Sequence, residues 1–237
     1  MSSDENKYLK SYNIKDYDIP LATVDMSIFS IIDGTLNVLL IHRDTHPEKG
    51  KLSLPGGFIN LKEDQNLDET AHRKLFEKTG LKSPYLEQVE TTGNATRDPR
   101  GWSVTILYFA LLDFGKVKEK ALKDSKWFPV NKAKKEKLAF DHNELLEKAF
   151  DRLKSRTSYT ALPMALMPNL FTLTELQTVF EIILEKKLPI KSFRRRILTA
   201  EVVIPTGESK LSGKRNAQLF KSKGVSKDFY FQRPLQV

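Results

Sequence analysis

The 237-residue sequence contains no cysteine. Disulfides and thiolate metal sites are therefore excluded, and a cytoplasmic protein is the expectation. No apolar run approaches the roughly 18 residues that a membrane-spanning helix needs. The most apolar stretch, Val104–Leu112, reads instead as a buried strand. Residues 1–13 are polar and of mixed charge, so no signal peptide is read there. His42, His46, His72 and His142 show neither HxH nor HExxH spacing, so they are read as structural residues and not as metal ligands. There is no internal repeat and no low-complexity tract. What remains is ordinary globular composition, 40% hydrophobic and 29% charged.

The charge is unevenly placed. Residues 186–223 carry eleven Lys and Arg against Glu201 and Glu208, so this one segment holds an excess equal to the whole chain's net +9. A basic block confined to one end points to a polyanion partner for that end.

Hydrophobic periodicity divides the chain into two parts. Residues 21–42 read as two strands joined by Asp33-Gly34, a strong hairpin signal. Residues 66–79 read as a helix with Leu67, Ala71 and Leu75 on one face and Gly80 as its stop. Further strands are expected at 87–93, 103–114 and 126–130, and a helix at 142–154. After residue 155 the pattern changes. A helix is expected at 174–184, a break at Pro189, and a second helix at 190–200. Two short strands, 201–205 and 217–221, then flank a basic tip at 207–213. That order is a winged helix-turn-helix. The expected fold class is α+β, with domains 1–155 and 156–237 and a boundary near 153–160.

Three constellations carry chemistry. The first runs from LPGGF to RKLFEKTGL and resembles the Nudix box, G-x5-E-x7-R-E-U-x-E-E-x-G-U. Gly57 opens it, and Arg73, Leu75, Glu77, Gly80 and Leu81 match its second half. The loop between Gly57 and Arg73 is two residues longer than the general form. In that box, glutamates at i, i+3 and i+4 share a helix face and gather Mg²⁺ ions. Here those positions are Lys74, Glu77 and Lys78, and the loop acid position, counted back from Arg73, is Gln65. Two ammonium groups at about 4 Å from a divalent ion would each repel it by several kcal/mol, so normal Nudix hydrolysis is not expected. Lys74 and Lys78 are open to two readings, metal-free contacts to a pyrophosphate or solvated helix charges. Glu63 and Asp64 are nearby loop acids that could partly substitute.

The second constellation is GNATRDPRGW, residues 93–102, followed by a strong strand. Two guanidiniums, a proline turn and an aromatic suit a phosphate-bearing ligand, because Arg forks bind phosphates bidentately. This stretch and LAFDH, residues 138–142, resemble the ADP-ribose branch of Nudix proteins. Arg43, Arg97 and Arg100 are then candidate phosphate-side contacts, with Gly57, Phe58, Lys74, Glu77 and Lys78 completing the expected ligand site. The third constellation is the second helix of the C-terminal part. Phe193 and Ile197 can anchor it inward, which leaves Lys191, Ser192, Arg194, Arg195 and Arg196 to face DNA. Lys210, Lys214 and Arg215 are expected on a basic wing.

Together these motifs resemble the Nudix-related transcriptional regulators, the NrtR family, over nearly the whole chain. The resemblance implies an N-terminal Nudix-like α/β/α sandwich, a C-terminal winged helix-turn-helix and a homodimer binding palindromic double-stranded operator DNA. It implies no cofactor, an ADP-ribose or related nucleotide-sugar effector that releases the DNA, and control of NAD metabolism genes. Two other readings are an active ADP-ribose pyrophosphatase with an accessory domain and a regulator of pentose utilisation. A third, a nucleotide-binding module with an RNA-binding tail, lacks stacking aromatics in the basic segment.

Overall fold

A computed structural model describes residues 3–80, 85–117, 124–212, 215–224 and 229–231, with the side chains of Ser212 and Arg215 set aside. The N-terminal half is built on a seven-stranded sheet. Its strands are β1 (Leu21–Ile32), β2 (Thr35–His42), β3 (Leu52–Ser53), β4 (Gly56–Phe58), β5 (Tyr85–Asn94), β6 (Ser103–Leu112) and β7 (Ser125–Pro129). The main order is β3-β2-β1-β6-β5, with β4 added to β1 and β7 to β2. β1 and β6 run parallel, from Leu21 opposite Ser103 to Ser30 opposite Leu112. The expected hairpin is present. Asp33 and Gly34 both take positive φ, 48° and 70°, as a tight turn between right-twisted strands requires.

Strand alternation sorts the side chains onto two faces. Val24, Met26, Ile28, Ile106, Tyr108, Ala110 and Leu112 pack with Ala71 and Leu75 of helix α2 (Leu67–Thr79). Phe29, Val38, Leu40, Leu107, Phe109 and Leu111 face the other way, onto a long helix spanning His142–Tyr159. Below, α1 is Ser3–Ser11, α3 Val130–Ala133 and α4 this long helix. The expected α/β/α sandwich is therefore observed. α2 starts and stops as expected. The Asn66 side chain accepts from the Glu69 amide at 2.9 Å, and Gly80 ends the helix in the left-handed region. Leu67, expected inward, is 36% exposed at the first helical position.

The C-terminal half holds α5 (Leu173–Leu184), α6 (Ile190–Thr199), β8 (Val203–Ser212) and β9 (Arg215–Ser222). Thr172 and Glu175 form a complete capping box on α5. A winged helix-turn-helix is the result. Two details differ from expectation. The tip expected at 207–213 is largely strand, because a bulge between Pro205 and Ser209 absorbs Gly207 and pairing resumes to Ser212. The expected domain boundary at 155/156 lies inside α4, which runs unbroken to Tyr159. One apolar core extends from the sheet through α4 and Leu162, Met164 and Leu166 to α5, α6, β8, β9 and Phe231. The two halves thus share a core.

Candidate functional site

The first candidate site is a cleft of about 210 Å³ between β1, β4 and the loops after β2 and β5. Arg43, Gly57, Phe58, Arg97 and Arg100 of the expected ligand set line it, with Thr23, Asp25, Asp98, Phe140 and His142. β4 can lie this close to β1 only because residue 56 is glycine. A Cβ there would sit 2.3 Å from Asp25 Oδ1 and 2.5 Å from the Val24 carbonyl.

The three arginines differ in how they are held. Arg43 lies 4.7 Å over the Phe140 ring and donates Nε to the Pro47 carbonyl at 3.0 Å. Among the described residues it has no carboxylate partner. Arg100 lies 5.2 Å over Phe58 and forks onto Asp98 at 3.0 and 2.7 Å. Its side chain is 41% exposed, and it holds the Asp98 carboxyl below the usual range. Arg97, expected as a phosphate contact, is instead buried and committed. Its Nε and Nη2 donate to Asp141 at 2.9 and 3.0 Å, Nη1 donates to Ser103 at 3.3 Å, and Nη2 is 3.6 Å from Asp25. Arg97 is thus the keystone between β5, β6 and the start of α4, as well as a wall of the cleft. A second, more open cleft of about 500 Å³ shares Arg97 and Phe140 with the first.

Sequence reasoning missed the acids and the second aromatic shelf. Asp25 was visible as the one charged residue of β1. It accepts from Thr105 Oγ1 at 2.8 Å. Phe140 sits within LAFDH and takes φ of 54°, a rare conformation for an aromatic residue. His142 is buried, and its Nδ1 accepts the Leu54 amide at 2.9 Å, which leaves Nε2 as the protonated nitrogen in the neutral ring. Burial pushes its pKa down, more than the nearby acids raise it.

The metal face of the box is occupied by ion pairs. Glu77 Oε1 accepts from Arg73 at 3.0 Å and Oε2 from Lys74 at 3.1 Å. Burial would raise its pKa, but Lys74 and Arg73 outweigh that and hold it low. Lys74 also packs beside Gly57, with Cε 3.1 Å from where a Cβ would stand. Lys78 is half-buried on the same helix. A carboxylate with both oxygens engaged by cations, flanked by ammonium groups, does not fit a divalent ion. Among the described residues no three His, Asp or Glu side chains gather as a metal site would need. The loop position expected to carry an acid does not face Arg73. Gln65 is exposed, with its amide donating to Glu69. Asp64 binds Arg73 through two bonds of 2.7 and 2.6 Å and accepts from Asn60 and Thr70.

A pH dependence follows. Arg73 holds the Asp64 carboxyl well below its ordinary range. That stabilisation is present above the unfolded carboxylate value near 4 and is lost as pH falls further. His142 has the opposite chemistry and the same sign. The unfolded imidazole takes up a proton near pH 6.5 while the buried one resists, so stability falls below about that pH. Thermal melts from pH 8 to 5 should show declining midpoints. In His142→Asn, which keeps an acceptor for Leu54, the decline between pH 7 and 5.5 should be smaller. An unchanged profile would remove His142 as its cause.

The second candidate site is the cationic face of the C-terminal half. Phe193 and Ile197 point inward as expected, and Phe193 meets Phe180 edge-on at 5.1 Å. Lys191, Arg194 and Arg195 are exposed, and Ser192 and Arg196 are half-buried. The start of α5 ties helix and wing together. Thr174 accepts from Arg194 at 3.1 Å, and the next residue, Glu175, pairs with Lys210 at 2.6 Å. Recognition helix and wing therefore present cations on one side. Lys210 stands on β8, paired with Ala217, not in a loop. Lys214 and the side chain of Arg215 lie outside the described residues.

Comparison with known proteins decides the family. A model described as the NUDIX domain matches residues 22–149, and one described as the NrtR DNA-binding winged helix domain matches residues 163–222. The chain is 53% identical to the Acinetobacter baylyi "ADPR responsive transcriptional repressor NtrR", over 99% of this chain and 94% of that protein. The chain belongs to the NrtR family. It is similar to a crystal structure of Shewanella oneidensis NrtR complexed with a 27mer DNA, at TM-score 0.87 and 41% identity, over 91% of this chain and 99% of that one. The NUDIX domain of the same NrtR, in a cocrystal structure with ADP ribose, matches 65% of this chain and 99% of its own at TM-score 0.55 and 41% identity.

Proposed function

We propose that this NrtR-family protein is an ADP-ribose-responsive transcriptional repressor, binding operator DNA through α6 and the β8–β9 wing and ADP-ribose in the arginine-lined cleft. The observation that carries the reading is the pairing of Arg43 over Phe140 and Arg100 over Phe58 in one cleft. Guanidiniums beside aromatic faces suit a ligand with both phosphates and stackable rings. The A. baylyi relative's name and the Shewanella complexes support the same assignment. The protein acts as a homodimer on a palindromic site, since one short helix reads few base pairs and symmetry doubles them. NAD metabolism genes are its targets and the cytoplasm its location. It is not a hydrolase. Lys74 and Lys78 stand at metal-ligand positions, Gln65 is not an acid, and Glu77 is engaged by Arg73 and Lys74.

Titrating ADP-ribose into a preformed complex with operator DNA tests this directly. DNA affinity should fall by about 5- to 150-fold at saturation, and an unchanged affinity would remove the regulatory reading. With Mg²⁺ or Mn²⁺, turnover on the order of 1 per second or faster would instead make it an enzyme. Arg194→Ala or Arg195→Ala should weaken operator binding by about 1–3 kcal/mol and leave ADP-ribose affinity without DNA unchanged. Lys210→Ala should weaken binding to all sequences and lower the salt slope by about one. Because Lys210 must leave Glu175 to meet a phosphate, Glu175→Gln should tighten DNA binding.

A further inference from the structure

Helix α4 begins at the arginine cleft and ends against a segment that reaches α6. At its start, Asp141 receives the Arg97 fork at 2.9 and 3.0 Å, and His142 lines the arginine cleft. At its end, Arg156 and Tyr159 meet the segment Phe229–Phe231, which follows the wing. The Phe231 amide donates to the Tyr159 carbonyl at 2.7 Å. The Tyr230 ring stacks on Tyr159 at 5.8 Å and 10°, and the Arg156 guanidinium lies 5.4 Å over Tyr230. On its other side this segment faces α6 across a cleft of about 530 Å³, opposite Ser192, Arg195, Arg196 and Thr199. Arg196 lies 5.6 Å over the Phe231 ring. This three-residue segment therefore touches the last turn of α4 through Tyr230 and Phe231 and the recognition helix through Phe231.

We propose that Phe229, Tyr230 and Phe231 are positioning residues that strap the recognition helix α6 to the end of α4, and that this strap carries effector occupancy to DNA affinity. The proposal rests on reading the arginine cleft as the ADP-ribose site and α6 as the DNA-reading helix. α4 spans roughly 27 Å at 1.5 Å per residue and is internally hydrogen-bonded, so a shift at its first turn reaches its last turn as a rigid displacement. A ligand in the cleft meets that first turn through Arg97 and His142. α6 is held from two directions. Phe193 and Ile197 fix it within the winged helix, and the Arg196–Phe231 contact refers it to α4. Stacked rings and a guanidinium over an aromatic face depend on orientation, so a small movement of α4 changes which α6 pose is preferred. A rival route exists where α4 packs directly on α5, marked by Lys154 and Glu185 at 2.6 Å.

The full-length protein tests the strap. Tyr230 is 55% exposed, so Tyr230→Ala removes the stack without opening the core. ADP-ribose affinity is measured by calorimetry without DNA, and operator affinity by anisotropy with and without saturating ADP-ribose. In the wild type the two operator affinities should differ by about 5- to 150-fold; in Tyr230→Ala the ratio should collapse to about 2 or less, with ADP-ribose affinity and effector-free DNA affinity within about 3-fold of wild type. Tyr230→Phe, which keeps the stacked ring, should retain the ratio, and so should Lys154→Ala. Hydrogen exchange of the α6 amides should respond to ADP-ribose in the wild type but not in Tyr230→Ala. A full ratio in Tyr230→Ala overturns the proposal, as does its collapse in Lys154→Ala alone. Equal weakening of DNA binding with and without effector also overturns it, because the strap would then be only a brace. A wild type that binds no ADP-ribose, or whose DNA affinity ignores it, defeats the functional reading itself, and that outcome is visible before any variant is made.

Discussion

Arg97→Ala is expected to lower the unfolding free energy by about 3–5 kcal/mol, the usual cost of breaking a buried ion pair by removing one partner. The Arg97 side chain is 5% exposed, and its neighbours Asp141 and Asp25 are only 17% and 10% exposed. Without the guanidinium, Asp141 loses both bonds to it, and Asp25 keeps only the neutral Thr105 hydroxyl as a donor. His142 cannot compensate near neutral pH, because burial disfavours its protonated form. The start of α4 would lose its tie to the sheet. Arg97→Lys should fall between, since an ammonium restores charge but not the fork. Urea denaturation at pH 7 measures this. A loss under about 1 kcal/mol would show that the network contributes no more than a surface pair does. ADP-ribose binding should be read only at temperatures where the variant remains folded, because the loss of affinity would otherwise be a loss of fold.

The second large effect is on binding. Arg43 and Arg100 sit on separate aromatic shelves, Phe140 and Phe58, and are linked to different partners, the Pro47 carbonyl and Asp98. One charge-assisted contact is worth about 1.5–3 kcal/mol, so each alanine variant should weaken ADP-ribose by roughly ten- to a hundred-fold. The double variant Arg43→Ala, Arg100→Ala should lose about 10²- to 10⁴-fold if the two act independently. Melting temperature should fall in Arg100→Ala, because Asp98, 7% exposed, loses its fork, but less than in Arg97→Ala, because Arg100 is itself 41% exposed. Calorimetry decides the assignment. Wild-type affinity in the double variant would place the phosphates elsewhere, whereas loss in only one single variant would name the arginine that meets them. The contrast with Arg97 separates an arginine that carries the fold from two that are available to a ligand.

Periodicity and punctuation made most elements legible. The Asp33-Gly34 hairpin, α2 between Asn66 and Gly80, and α5 behind its Thr172–Glu175 box are specified by bonds within a few residues, and such signals need no knowledge of the rest of the chain. The bulge at Gly207 was not legible, because pairing across β8 and β9 depends on cross-strand register. The length of α4 was not legible for a related reason. A composition shift near residue 155 suggests a linker, yet α4 continues to Tyr159 because its inner stripe, through Leu153, packs on both the sheet and α5.

The sequence by itself determined the two-part architecture, the inward anchors Phe193 and Ile197 and the cationic end of the chain. All of these are properties of residue type at a local spacing. Only the tertiary structure decided which arginine lacks a carboxylate partner among the described residues. Arg43, Arg97 and Arg100 read alike in one dimension, but pairing depends on which carboxylates the fold brings within 3 Å or so. Arg97 meets Asp141 from a helix 44 positions away, while among the described residues Arg43 meets a ring and a carbonyl but no carboxylate. The same holds for the acid facing Arg73. Nothing local marked Asp64 as its partner, because hydrogen bonding is set by distance in space and not by position in the string.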